Sequence, residues 1–174
     1  IGAGIGVFAA KKVQMTGMPE LVALFNGFGG LASLLVGWAE FAKEGNFNNS
    51  EYPVFTAVAV VFAVLVGGIT FTGSLIAYLK LSGKLGGAAT VFPGQKVLNA
   101  AVFLTLLGFG VVFVVTGAAW ALYLVIALSL LLGVLGVIPI GGGDMPVVIS
   151  FLNSFSGIAA SAAGFVILNN VLIV

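Results

Sequence analysis

The sequence predicts an all-α, polytopic transmembrane helix bundle. Of its 174 residues, 61% are hydrophobic and only 6% are charged, and the mean hydropathy is +1.28. A soluble domain carries about 25% charged residues, so this chain has too few charges to cover a surface that faces water. Glycine is frequent, with 26 residues, as is typical of transmembrane helices that pack closely.

Five stretches are long and apolar enough to be complete spans, since crossing a bilayer takes roughly 20 apolar residues in a helix. Their approximate bounds are 18–41, 54–81, 97–116, 119–138 and 145–168. Apolar tails before Lys11 and after Asn170 indicate a partial span at each end. We therefore expect residues 1–174 to be a single transmembrane domain and a fragment of a longer chain.

The connections between the spans have loop composition. The stretch 40–53 is polar and rich in Asn, and 80–96 is rich in Gly and Lys, so both are predicted to be loops in water. The turn at Gly117 is so short that spans three and four should form an antiparallel hairpin. Residues 141–144 (GGGD) are predicted to be a flexible link, whose Asp144 carboxylate would cap the fifth helix.

Lysine positions predict the orientation, because cytoplasmic loops carry an excess of Lys and Arg. Two of the loops would share one side of the membrane and hold Lys11, Lys12, Lys80, Lys84 and Lys96. That side is predicted to be cytoplasmic. Asp144 would then also lie at the cytoplasmic surface.

Spans one and five look like two copies of one segment. MPELVALFNGFGGLASLLVGW begins at Met18, and MPVVISFLNSFSGIAASAAGF begins at Met145, an offset of 127 residues without gaps. Four crossings separate the two starts, which predicts a parallel repeat. Each copy places small residues at spacings of three and four, which would form a flat face for close helix contact: Gly27, Gly30, Ser33 and Gly37; Ser154, Gly157, Ser161 and Gly164.

Each copy also places one Asn inside the apolar layer, at Asn26 and Asn153. An unpaired amide in hydrocarbon costs several kcal/mol, so each Asn is expected to have a partner or to face water. They could be packing contacts between helices, or they could line a hydrated proton path. Thr70, Thr72 and Ser74 in span two are the natural complement of such a path, although hydroxyls in a helix often bond back to their own backbone.

Several classes of function have no support. The chain has no His, Cys or Arg, which removes the usual zinc and haem ligands. A net charge of +1 gives no reason to expect a nucleic-acid partner. No carboxylate pair is buried in an expected span, so hydrolytic acid–base chemistry is not indicated. The glycine-rich runs lack the strand-then-helix context of a nucleotide loop, so we predict no catalytic, metal or cofactor site in this chain.

Three segments resemble the membrane part of proton-translocating nicotinamide nucleotide transhydrogenase, and its β subunit in particular. They are KKVQMTGMPELVALFNGFGGLA, GGITFTGSLIAYLKLSGKL and GGGDMPVVISFLNSFSGIAASAAGF, at 11–32, 67–85 and 141–165. Together they cover more than a third of the chain, and the remaining spans fit the same layout.

The resemblance implies coupling of hydride transfer between NAD(H) and NADP(H) to proton movement across a bacterial inner membrane. The NAD(H)- and NADP(H)-binding domains would be soluble, with the NADP(H) domain further along the chain. The implied partners are the α subunit with its membrane helices, those two soluble domains and membrane lipid, in an assembly expected to be a dimer. NAD and NADP would be cofactors of the complete enzyme.

Residue by residue, the resemblance places Asn26 where the family has a polar channel residue, His in some members and Asn in others. Asn153 matches a second channel residue. With Thr72 and Ser74 they are the predicted proton path. Asp144 matches the acidic residue facing the NADP(H) domain, and Glu20, the other carboxylate at a cytoplasmic helix start, is predicted to share that coupling role.

Two other functions stay open at this point. Without the resemblance, a non-enzymatic secondary transporter or channel built on parallel repeats fits the residues. A purely structural subunit also fits, and it predicts that both Asn residues can become Ala without loss of transport.

Overall fold

The computed structural model describes residues 2–44 and 53–174. Seven α-helices occupy these ranges, which contain no strand: α1 (Gly2–Lys12), α2 (Met18–Glu44), α3 (Pro53–Leu81), α4 (Gln95–Thr116), α5 (Ala119–Val137), α6 (Met145–Val166) and α7 (Asn170–Ile173). Helices α2 to α6 are long and apolar enough to cross a membrane. The predicted all-α bundle with five spans is confirmed.

The hairpin predicted at Gly117 is present. Gly117 ends α4 with φ of +65°, and its N–H donates to Phe113 O at 2.8 Å. That left-handed conformation costs glycine little. Two residues later, at Ala119, α5 begins, so α4 and α5 are antiparallel neighbours.

Several predicted boundaries differ from the structure by two residues or more, among them the start of α4, which is at Gln95 and not at residue 97. Helix α2 continues to Glu44, so residues 40–44 are helical and not part of a loop. Glu40 and Lys43 lie three residues apart near this end of the helix, and Lys43 Nζ is 3.7 Å from Glu40 Oε1. An ion pair at this spacing stabilises the last turns of α2. Residues 45–52 of the predicted loop lie outside the described residues. Helix α6 ends at Val166, two residues before the predicted end.

Helix α3 occupies the centre of the bundle. It packs against α2, α4, α5 and α6. Helices α2 and α6 pair with each other on one side of α3, and helices α4 and α5 pair with each other on the other side. Its residues from Val60 to Gly68 are buried except Phe62. A helix that is apolar all round is expected in such a position. Two polar groups further along α3, Thr70 and Ser74, are also fully buried.

Helices α2 and α3 cross in backbone contact. A Cβ at Gly30 would lie 2.8 Å from Gly67 O and 2.8 Å from Thr70 Cβ. A Cβ at Gly37 would lie 3.1 Å from a methyl group of Val64. The small-residue face predicted for the first copy of the repeat is therefore confirmed as a helix contact.

The second copy does not pack in the same way. Ser154 is exposed, and a Cβ at Gly157 would meet no atom within 4 Å. Gly164 is approached by Leu172 of the short helix α7 instead of by a long helix. Within the described residues no long helix covers this second small-residue face, and its use in helix contact stays a prediction. Both copies do start at their Met and follow a short 3₁₀ turn, and their origin by duplication stays a prediction.

Candidate functional site in the helix bundle

Asn26 lies at the centre of a row of polar groups that crosses three helices. Its side chain is buried. Its Nδ2 donates to Ser74 Oγ on α3 at 2.9 Å, and Ser156 Oγ on α6 donates to its Oδ1 at 2.6 Å. We call Ser156, Asn26 and Ser74 the polar row. The expectation that a buried Asn26 needs partners is confirmed.

Glycine at position 27 allows the row to form. A Cβ at Gly27 would lie only 3.3 Å from Ser74 Cβ. The neighbouring residue Asn26 is therefore held close enough to reach the Ser74 hydroxyl. The small residues of α2 thus bring α3 near and set the geometry of the row.

Thr70 extends the polar surface of α3 beyond the row. It lies four residues before Ser74, about 6 Å along the same side of the helix, and is fully buried. Its Oγ1 has no hydrogen-bond partner among the described residues. A buried hydroxyl without a partner costs about 1–3 kcal/mol unless water satisfies it.

Thr72 lies elsewhere on α3 and faces α5. Its Oγ1 is 2.7 Å from Leu130 O and 3.1 Å from Gly68 O, and the hydroxyl donates to these carbonyls. A glycine at position 133 leaves room for it, because a Cβ there would clash with Thr72 Oγ1. Thr72 is therefore not in contact with the polar row and fastens α3 to α5.

This contact predicts the effect of Thr72→Val. The variant keeps the shape of the side chain but leaves Leu130 O without its donor, so we expect the free energy of unfolding to fall by about 1 kcal/mol. Thermal unfolding in detergent measures this, and proton flux in vesicles should stay unchanged. A loss of flux without a loss of stability would instead place Thr72 in the proton path.

Asn153 is exposed on the surface of α6, whereas Asn26 is buried; its place in a proton path stays a prediction. The cause of its exposure is packing, since α6 turns Leu152 and not Asn153 toward α3. Asn153 and Ser156 are three residues apart, which places them about 60° apart around the helix. The polar row therefore reaches α6 through Ser156, at one edge of the surface that carries Asn153.

Asp144 stands at the N-terminal end of α6 but does not cap it. Its side chain makes no hydrogen bond to the helix N–H groups, so the predicted cap was wrong. The preceding residues are also not a loose link, because Gly142–Asp144 is a 3₁₀ turn and Gly142 N–H donates to Gly87 O at 2.9 Å. The Asp144 carboxylate is exposed and Glu20 is half-buried in the first turn of α2.

Two residues of this region were missed by the sequence reasoning. Ser156 corresponds to Gly29 in the first copy of the repeat, so comparison of the two copies gave no signal for it. Lys80 counted only as an orientation signal. Its Nζ is in fact buried against three backbone carbonyls; a lysine inside the predicted span two was the available clue.

The row can hold and relay hydrogen bonds, but none of its three groups titrates near neutral pH. Within the described ranges, no cluster of three metal-ligating side chains occurs. Five helices able to span a membrane, with a polar row inside them, define a multi-pass integral membrane protein.

Comparison with known proteins identifies its family. The family model described as NAD(P) transhydrogenase beta subunit matches residues 1–174, the whole chain. NAD(P) transhydrogenase subunit beta of Rhodospirillum rubrum is 42% identical over 182 aligned positions, covering 100% of this chain and 38% of the relative. The protein of the same name from a defined strain of that organism matches to the same extent. The chain belongs to the NAD(P) transhydrogenase beta subunit family and spans 38% of the length of these relatives.

Proposed function

We propose that this chain is the membrane domain through which a transhydrogenase couples proton movement to hydride transfer between NAD(H) and NADP(H), in a bacterial inner membrane. The observation that carries the proposal is the polar row, Ser156–Asn26–Ser74, which joins three helices by side-chain hydrogen bonds inside a predominantly apolar bundle. Family membership supports the same function. It also disfavours a non-enzymatic transporter or channel.

In this proposal protons move through water that the polar row positions. An amide cannot take up a proton near neutral pH, so Asn26 orders neighbouring groups and does not carry charge itself. The unpaired hydroxyl of Thr70 supports a bound water one turn along α3 from Ser74. Asn153 would extend the path along α6, where its amide requires a polar neighbour or water.

Asp144 and Glu20 would couple the membrane domain to the soluble NADP(H)-binding domain. Both lie at the N-terminal ends of long helices, and the Asp144 carboxylate is exposed, as contact with a docked domain requires. We propose the α subunit, the two soluble nucleotide-binding domains and membrane lipid as the partners, in an assembly that is a dimer.

The nucleotides would bind to those soluble domains. A dinucleotide site of the common type needs a glycine-rich turn from a strand into a helix, and residues 2–44 and 53–174 contain no strand. The described residues therefore do not fit NAD or NADP, and no step of hydride transfer is placed in this chain.

The proposal is tested with the complete protein and its partner subunit in sealed vesicles. Adding NADPH and an NAD⁺ analogue should change the internal pH in step with hydride transfer, and an uncoupler should abolish the pH change while it leaves the hydride transfer intact. Hydride transfer without any pH change would refute the proposed coupling.

The variant Asn153→Leu tests the extension of the path along α6. We expect proton pumping and the coupled reaction to be blocked, because leucine keeps the size of the side chain but removes both polar atoms. The matched control is Ser154→Ala, at the next exposed residue, whose hydroxyl only bonds back to Ser150 O. Unchanged pumping in Asn153→Leu would remove Asn153 from the path.

A further inference from the structure

Lys80 is a buried cation whose bonds are to backbone carbonyls. Its side chain is 3% exposed. Nζ donates to Ile138 O at 2.6 Å, to Ile140 O at 2.7 Å and to Ala88 O at 3.1 Å. An ammonium group has three N–H donors, so these three bonds satisfy it completely.

This environment suits a positive charge. Val137 is the last residue of α5, and the carbonyls that follow a helix C-terminus lack intrahelical partners and carry partial negative charge. Lysine near a helix C-terminus commonly binds these carbonyls. Here the lysine comes from the neighbouring helix α3 and therefore joins two helices.

The same contact gathers three segments. Ala88 belongs to the connection between α3 and α4, and Ile138 and Ile140 lie just after α5. Two backbone bonds accompany it: Gly142 N–H donates to Gly87 O at 2.9 Å, and Thr90 N–H donates to Ile138 O at 3.3 Å. We call these contacts, from Lys80 and between residues 87–90 and 138–142, the lysine clamp.

The clamp lies between the polar row and Asp144. Lys80 follows Ser74 by six residues, about 9 Å along α3, and both side chains belong to the buried part of the helix. At the other end, Asp144 is only two residues after Gly142, whose N–H is part of the clamp. A displacement of α3 would therefore be transmitted to the segment that carries Asp144.

We propose that Lys80 is a positioning residue, which holds the Asp144 segment at a fixed place relative to α3 so that the NADP(H) domain can respond to the polar row. This inference rests on the proposed function. Lys80 itself touches neither the row nor a nucleotide. Its effect should therefore be seen in the KM for NADP(H) and in the number of protons moved per hydride, and not in the KM for NAD(H).

The first experiment compares Lys80→Met with Lys84→Met in the complete transhydrogenase. Lys84 is exposed and its Nζ contacts the Tyr78 hydroxyl at 3.1 Å, so it controls for the loss of a lysine on this side. We expect the KM for NADP(H) to change about tenfold and the protons moved per hydride to fall in Lys80→Met. The KM for NAD(H) should stay within about twofold of its value in the unaltered protein. Lys84→Met should match the unaltered protein in both KM values and in the proton-to-hydride ratio.

The second experiment replaces the clamp with a covalent link. It keeps the proposal testable if Lys80→Met alone yields little folded protein. The chain has no cysteine of its own, and Gly142 N–H donates to Gly87 O at 2.9 Å, so Gly87→Cys with Gly142→Cys places two thiols on adjoining backbone segments, and a thiol assay verifies that the disulfide forms. In the presence of this link, Lys80→Met should be obtained as folded protein. Its KM for NADP(H) and its proton-to-hydride ratio should return to the values of the unaltered protein. Reduction of the disulfide should abolish that recovery.

Normal NADP(H) kinetics and a normal proton-to-hydride ratio in Lys80→Met would overturn the positioning role. Equal changes in the KM values for NAD(H) and NADP(H) would overturn it as well. So would a disulfide-linked Lys80→Met protein that does not regain the NADP(H) KM and the proton-to-hydride ratio. These outcomes are separate from failure of the proposed function, which would appear as an absence of coupled proton movement in the complete protein with Lys80 intact.

Discussion

Asn26→Leu is expected to reduce proton translocation by the complete protein to the background leak of the vesicles. Leucine cannot accept from Ser156 or donate to Ser74, so the polar row is broken at its centre. The buried hydroxyl of Ser74 and the half-buried hydroxyl of Ser156 lose their partner, and we expect stability to fall by about 1–3 kcal/mol as well. Proton flux and thermal unfolding, measured on the same preparation, separate the two effects.

Two further variants control this prediction. Ser33→Ala removes a buried hydroxyl of α2 that lies outside the polar row and bonds only to Gly29 O of its own helix. This variant should retain proton flux. Asn26→His introduces the residue that the family resemblance gives for other members at this position, and it should retain flux too. Full translocation by Asn26→Leu would show that the polar row is only a packing contact.

Gly30→Val should have the largest effect on folding of any substitution considered. Its Cβ would lie 2.8 Å from Gly67 O and 2.9 Å from Phe71 N, both of which are backbone atoms that cannot rotate away. The helices α2 and α3 would have to separate, and we expect a loss of at least about 3 kcal/mol in stability. The yield of folded protein after detergent extraction and its unfolding temperature measure this loss.

The neighbouring glycine provides a matched control for Gly30→Val. Gly29 lies one position earlier in α2, and a Cβ there would meet no atom within 4 Å. Gly29→Val makes the same chemical change with the same cost in helix propensity, so it should fold nearly as well as the unaltered chain. Equal damage at both positions would contradict the close α2–α3 crossing.

The spans and the first small-residue face were predictable because they depend on local sequence. Twenty apolar residues in a row can satisfy their backbone in a bilayer only as a helix, which is why the predicted starts of α2 and α6 at Met18 and Met145 agree with the structure. Gly30 and Gly37 share one side of α2 at helical spacing, so a close contact there could be expected before its partner was known.

The candidate site was predictable only in part. A buried Asn needs a partner or water, and this condition correctly indicated that Asn26 would be satisfied; the structure identifies Ser74 as one of its partners. Asn26 and Asn153 differ in exposure because the repeat fixes the position of each Asn along its helix but not which neighbouring helix it faces. Burial of one copy and exposure of the other depend on which helices surround α2 and α6.

The sequence by itself determined that this chain is a helical membrane domain, which family it belongs to and which residue types lie within its spans. Only the tertiary structure decided that Ser156 joins Asn26, that Thr72 faces α5, and that Lys80 binds the carbonyls after α5. The physical reason is the range of the interactions. Hydropathy and glycine spacing act within one helix, whereas these hydrogen bonds join residues 58 to 130 positions apart and exist only once the helices have packed.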